Sequence, residues 1–248
     1  MNASCICVRR EGTTTRVTLA RPGKGNSLSG AMVCELSAAI AACHADGTRA
    51  LLVDAAGPNF CTGFDLSDLE HETDDSLLAR FVRVELLLQQ VHRAPFVTAA
   101  LARGKTWGAG ADLFAACSMR WATMDATFAF PGAAFGLVLG SGRLGALVGP
   151  AHAGCWILRG GLVTQPQASA AGLVQHVLDP SLPTELEQTL AQSVQRLDCV
   201  TQTQVLAALH PRSEADDATD LARLVASAAR PGLQARIVAY RAALRAPK

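Results

Sequence analysis

Apolar and polar residues alternate along positions 4–10 and again along 14–20, with Glu11-Gly12 between, a pattern that predicts a β-hairpin. Ser29 then precedes a stretch in which Met32, Leu36, Ala39, Ile40 and Cys43 share one helical face. A helix capped by Ser29 is expected through about Ala45. Residues 49–55 and 96–101 are short apolar runs of the buried-strand type, and between them Leu77, Phe81, Val84, Leu88 and Val91 fall at helical spacing. Residues 108–117 read as a helix entered through glycine, and 118–123 as a third strand. This alternation predicts an α/β layered fold with at least partly parallel strands. From Pro183 onward the pattern is helical only, over about 184–197, 200–209, 215–229 and 232–246, with breaks near Asp198, Pro211 and Pro231. The chain is expected to divide into a core, 1–182, and a small helical segment, 183–248.

Composition narrows the function classes. Half of the 248 residues are apolar, enough for one substantial core. A net charge of +1 provides no general field for nucleic acid or anionic lipid. The densest basic stretch, 230–248, reads as a solvated helix face. The eight cysteines show no C-x-x-C pair and no metal-ligand spacing with histidine. No secretory signal is visible at the N-terminus, and apolar runs such as 96–102 are far short of the ~20 residues of a membrane span. A soluble, cytoplasmic, reduced protein is expected, with no metal, nucleic acid or membrane partner.

Two motifs mislead. Gly140-Ser-Gly-Arg-Leu-Gly145 matches G-x-G-x-x-G, but no Asp or Glu occurs between Asp125 and Asp179 to bind a ribose, so dinucleotide binding is not expected. Gly104-Lys105-Thr106 resembles the end of a P-loop, yet its first glycine would fall on Ala99.

Two other segments carry chemistry together. In Gly57-Pro-Asn-Phe-Cys-Thr-Gly-Phe-Asp-Leu66, Gly63 permits a turn that can aim the next N–H into a cleft. In Arg103-Gly-Lys-Thr-Trp-Gly-Ala-Gly-Ala-Asp-Leu113, the N–H of Ala109 lies in a helix's first turn, unsatisfied and at the positive end of the dipole. Two such donors converging on one point make an oxyanion hole. Each glycine cluster taken alone also fits a simple tight turn.

Together they give the chain a resemblance to the crotonase (enoyl-CoA hydratase/isomerase) superfamily over about residues 14–180. Leu19-Ala-Arg-Pro-Gly-Lys-Gly-Asn-Ser-Leu28 is similar to the family's L-N-R-P-x-x-x-N-A-L, and Phe60-Cys-Thr-Gly-Phe-Asp-Leu66 to F-C-A-G-A-D-L. Residues 95–113 are similar to the block K-P-V-I-A-A-V-N-G-x-A-x-G-G-G-x-E-L, residues 128–142 to F-x-x-P-E-x-x-x-G…P-G-x-G, and 168–174 to A-x-x-x-G-L-V. The resemblance implies a ClpP/crotonase-like α/β fold of repeated ββα units with a C-terminal helical trimerisation or lid segment. It implies that Phe64 and Ala109 supply the oxyanion-hole N–H groups for an acyl-CoA thioester. Arg21, Lys24, Cys61, Thr62, Phe64 and Leu66 would contact coenzyme A. Trp107, Gly108, Pro131, Gly132, Phe135 and Gly140 would line the acyl pocket. No cofactor is implied beyond the coenzyme A of the substrate, and trimers or hexamers (dimers of trimers) are the expected assembly.

The chain departs from the family at the acid/base positions. Hydratases of the family carry two glutamates; here the first position is Asp112 and the second Gly132, and no other acid lies between 126 and 178. An acid in a helix's first turn is also stabilised by the dipole without catalytic duty. The loop Asp65, Asp68, Glu70, His71, Glu72 is a second possible source of proton carriers, or simply a solvated loop in which Asp65 holds the turn. His92 and His152 read as ordinary packed or surface histidines. One carboxyl suits isomerisation or another proton transfer better than hydration. The alternatives are an acyl-CoA-binding protein without catalysis, and a hydrolase or decarboxylase using the 65–72 loop.

Overall fold

The structure, a computed structural model, describes residues 4–179, 185–209 and 212–245. The hairpin pairs β1 (Ile6–Glu11) antiparallel with β2 (Thr14–Leu19). In α1 (Gly30–Ala45) the Ser29 hydroxyl accepts from the Met32 N–H at 3.2 Å, satisfying one donor of the first turn. The core continues through β3 (Ala50–Ala55), α2 (Asp74–His92), β4 (Val97–Ala102), β5 (Lys105–Trp107), α3 (Ala109–Ala116), β6 (Met119–Ala122) and β7 (Thr127–Ala129). Then come α4 (Ser141–Arg159), β8 (Val163–Thr164), α5 (Gln165–Ala170) and β9 (His176–Val177), followed by α6 (Glu185–Gln195), α7 (Cys199–Leu209), α8 (Glu214–Ala228) and α9 (Leu233–Arg245). The succession β1-β2-α1, β4-β5-α3, β6-β7-α4 is a repeated ββα unit.

Six strands form one sheet in the order β1-β2-β3-β4-β6-β9, parallel from β2 onward; β5-β7-β8 form a second, small sheet. Every residue of β3 and β4 is buried. One face of the large sheet joins the main core with α1 and α3, while Ala50, Leu52, Val97, Ala99, Leu101 and Trp121 pack against Leu186, Leu190 and Val194 of α6. Burial on both faces is why these strands read as apolar runs instead of alternating. Asp54, the acid within β3, is paired with Arg16 of β2.

The expected boundary between 182 and 183 lies outside the described residues. The helices beyond it share cores with the rest of the chain: Leu224 and Ala228 of α8 and Leu233 and Ile237 of α9 pack with Leu77 and Phe81 of α2 and with Leu137.

The whole of α3 is buried, and it sits hard against the segment after β3. A Cβ on Gly110 would lie 2.4 Å from the Cys61 carbonyl oxygen and 2.6 Å from its Cβ. Gly110→Ala is therefore expected to destabilise the fold by ~1–3 kcal/mol in equilibrium urea unfolding; a variant as stable as the parent would contradict this packing.

Candidate active site

Two turns build the site by touching backbone to backbone. The Trp107 N–H donates to the Cys61 carbonyl at 2.9 Å and the Cys61 N–H to the Lys105 carbonyl at 3.2 Å, which ties the segment after β3 to β5. Both chains then turn at glycine, Gly63 with φ +102° and Gly108 with φ +52°. A Cβ on Gly63 would lie 2.9 Å from the Trp107 carbonyl oxygen and 3.6 Å from the Ala109 nitrogen, so no side chain fits there. The residues that follow, Phe64 and Ala109, line one cavity of roughly 200 Å³. Neither N–H donates to an acceptor among the described residues. Ala109 is the first residue of α3, where an orphan donor is expected.

The cavity brings together Thr62, Phe64, Leu66, Trp107, Gly108, Ala109, Asp112, Pro131, Gly132, Phe135 and Gly140. The Trp107 indole N–H donates to Thr127 Oγ1 at 3.2 Å and the Lys105 ammonium sits 4.7 Å above the ring, so the indole is held on the small sheet and walls the cavity without filling it. The Phe64 ring stacks on Phe81 at 4.1 Å with the Arg80 guanidinium on it. Gly132 has an ordinary φ, and a Cβ there would meet Leu137 no closer than 3.6 Å, so the backbone does not demand glycine. Its missing side chain enlarges the cavity.

Three residues expected at coenzyme A lie outside this cavity. Arg21 ion-pairs with Asp65 at 2.8 Å and donates to the Ser27 carbonyl, so its charge is committed to the fold. Cys61 is buried, with its thiol pushed up to about 12 by burial and its N–H and carbonyl both used by β5. Lys24 is exposed on the Pro22–Lys24 turn, next to Gly25, whose carbonyl accepts from the Thr62 N–H at 3.0 Å. None of the three lines the cavity.

The titratable residues of the 65–72 loop lie off the cavity. Asp65 accepts from the Ser67 N–H and hydroxyl; burial raises its proton affinity, but these bonds and Arg21 outweigh it and hold the carboxyl below its ordinary value. Glu72 is tied to Ser76 and Arg80, and Asp68, Glu70 and His71 are exposed. No acid or histidine of this loop lines the cavity.

Sequence reading missed Tyr240 and Leu244 of α9, which close the cavity, Tyr240 packing on Phe135 at 5.3 Å. It also missed Asn26, the one non-glycine residue in a left-handed conformation (φ 53°) among those described. Its side chain accepts from the Arg21 N–H and donates to the carbonyls of Ala56 and Asn59, fixing the turn beside Thr62. No local pattern announced these partners. A second cavity of roughly 710 Å³ behind α3 is lined by Arg120, Phe96 and Leu206 among others, and by none of the expected site residues.

Asp112 is the only carboxyl on the cavity wall among the described residues, and its neighbours are mostly apolar. No described residue hydrogen-bonds its side chain. Burial pushes its carboxyl up to about 8, against a downward pull from Arg143 and a further upward push from Glu85.

The enoyl-CoA hydratase/isomerase family model matches residues 9–228. A crystal structure from Bordetella parapertussis, described as an enoyl-CoA hydratase/isomerase, is similar at 37% identity and TM-score 0.92, covering 99% of this chain and all of that one. A Bacillus subtilis protein described as an enoyl-CoA hydratase/isomerase, YngF, is 28% identical over 211 residues, 83% of this chain and 81% of its own. Ethylmalonyl-CoA decarboxylase of Mus musculus is 31% identical over 180 residues, 69% of this chain and 55% of its own. The chain belongs to the enoyl-CoA hydratase/isomerase family and has the crotonase fold.

A carboxyl whose folded-state value lies above its unfolded value binds its proton more tightly in the native protein. Its contribution to stability is full below about pH 4 and is lost as pH rises toward 8. Asp112→Asn removes the ionisation. The variant is expected to be more stable than the parent at pH 9 by a few kcal/mol, and near parity at pH 4, in urea titrations at both pH values. Equal stability at pH 9 would contradict the buried, raised carboxyl.

Proposed function

We propose that this protein is an enzyme that takes an acyl-CoA thioester into the cavity and stabilises its enolate. The thioester oxygen is held between the N–H groups of Phe64 and Ala109, and Asp112 is the single proton carrier. The observation that supports this most is the pair of unengaged amides beside one buried carboxyl in an otherwise apolar cavity. Donors fixed before the reaction stabilise charge as it develops on the oxygen, and low-dielectric walls strengthen the effect. For coenzyme A we propose the exposed Lys24 together with Thr62 and Leu66, which line the cavity. A trimeric assembly belongs to the same reading; exposed Val200 and Leu209 of α7 and Val238 of α9 supply apolar surface for it.

Hydration needs a base for the water and an acid for the α-carbon, and among the described residues the cavity wall offers one carboxyl. Isomerisation of a 3-enoyl-CoA needs only one group, which takes the proton from one carbon and returns it to another. Its ionised form starts the cycle, so the rate is expected to rise with pH and level off above about 8. Asp112→Asn should lower this isomerisation by about 10²–10⁴-fold. Crotonyl-CoA hydration that outpaces isomerisation and survives Asp112→Asn would overturn the reading. Tight acyl-CoA binding with no turnover of any thioester would mark a carrier instead.

A second reading is favoured by the same carboxyl being protonated near neutrality. Loss of CO2 from a malonyl-type thioester leaves the bonding pair in the enolate, and an acid then protonates the α-carbon. Asp112 in its neutral form supplies that proton, with no role for the 65–72 loop. The likeness to a protein named ethylmalonyl-CoA decarboxylase points the same way. Its pH profile has the opposite sign: the rate with a branched malonyl-CoA falls as pH rises through about 8.

A further inference from the structure

The turn Gly140–Arg143 opens α4, and carboxyl groups from three helices meet it. A Cβ on Gly140, itself at φ +66°, would lie 2.2 Å from Asp112 Oδ1 of α3. A Cβ on Gly142 would lie 2.6 and 2.7 Å from the two carboxylate oxygens of Asp220 on α8. Arg143, 3% exposed, donates to Glu85 of α2 through both Nη atoms. The G-x-G-R pattern, whose likeness to a dinucleotide fingerprint has no ribose partner, thus makes room for two acids and draws in a third.

The cations are unevenly shared among these acids. Asp220 has Arg212 at 2.8 Å and Arg223 at 3.4 Å. Glu85 has both Nη groups of Arg143 and accepts from Gln89 Nε2 at 2.8 Å. Arg93 is paired with Asp217. Asp112 has no ion-pair partner among the described residues, and Arg143 Nε, buried, has no acceptor among them. Among the described residues, Tyr240 is the other titratable side chain on the cavity wall. A buried, doubly hydrogen-bonded Arg–Glu unit is close to neutral for a third group beside it, so it gives Asp112 little net attraction.

We propose that Glu85 is a positioning residue for Asp112: by holding both Nη groups of Arg143 it keeps that cation from pairing with Asp112. The inference rests on the reading of Asp112 as the proton carrier. Glu85 does not line the cavity. Burial raises the proton affinity of Asp112, Arg143 opposes it and Glu85 adds to it, in keeping with this arrangement.

The test reads protonation directly and needs no turnover. Carbon-13 NMR of protein labelled at the aspartate carboxyl carbons follows Asp112, its resonance identified by its loss in Asp112→Asn. The expected midpoint is near 8 in the parent. In Glu85→Gln, which frees Arg143 while keeping the side chain's shape, it should fall by about two pH units. A Glu85→Met/Arg143→Met double variant replaces the ion pair with apolar groups, a change buried pairs often tolerate. In it the midpoint should stay at or above the parental value. A midpoint unmoved by Glu85→Gln, or lowered in the double variant, would overturn the proposal. If the midpoints move as expected while thioester turnover is indifferent to Asp112→Asn, the linkage stands and the proposed reaction fails. If turnover depends on Asp112 but its midpoint ignores Glu85, the reaction stands and the linkage fails.

Discussion

The site depends on one close approach, between the segment leaving β3 and the segment entering α3. Cys61 pairs with β5 through both backbone groups, and Gly110 packs against Cys61 with no room for a methyl group. That contact brings Gly63 and Gly108 together, and each turns its chain so that the next residue leaves the pairing. Two N–H groups on Phe64 and Ala109 then border the same cavity without an acceptor among the described residues. Leaving buried donors unpaired costs free energy, and a ligand oxygen that accepts from both would recover it.

What the amides could do is limited by the proton chemistry beside them. An apolar wall around Asp112 keeps its carboxyl neutral over much of the physiological range, and the neighbouring Arg143 is engaged by Glu85. Gly132 leaves open the position where the family resemblance implies a second acid. A single carboxyl on the wall suits the proposed chemistry, which needs one proton carrier. Isomerisation and decarboxylation differ in which form of that carrier starts the reaction.

Much of this was legible from the chain because it was written locally. The hairpin, the Ser29 cap, the buried runs of β3 and β4 and the glycines at 63 and 108 carry their own patterns, and the structure forms each. Strands of two or three residues, such as β5, β7, β8 and β9, are too short to show a period. Long-range partners were invisible for another reason: nothing near Arg21 announces Asp65, nothing near Glu85 announces Arg143, and Tyr240 reaches the cavity from α9. The acidic loop after Leu66 offered carboxyls in the right region of sequence, yet arginine pairing and exposure turn them away from the cavity.

The proposed oxyanion hole requires residues 64 and 109 to grip one thioester oxygen together. A crystal structure of the protein with a tightly bound, unreactive acyl-CoA analogue is the decisive measurement. The thioester oxygen is expected about 2.7–3.1 Å from both amide nitrogens, with the α-carbon facing Asp112. An analogue whose carbonyl points away from those amides, or that settles in the larger cavity behind α3, would contradict it.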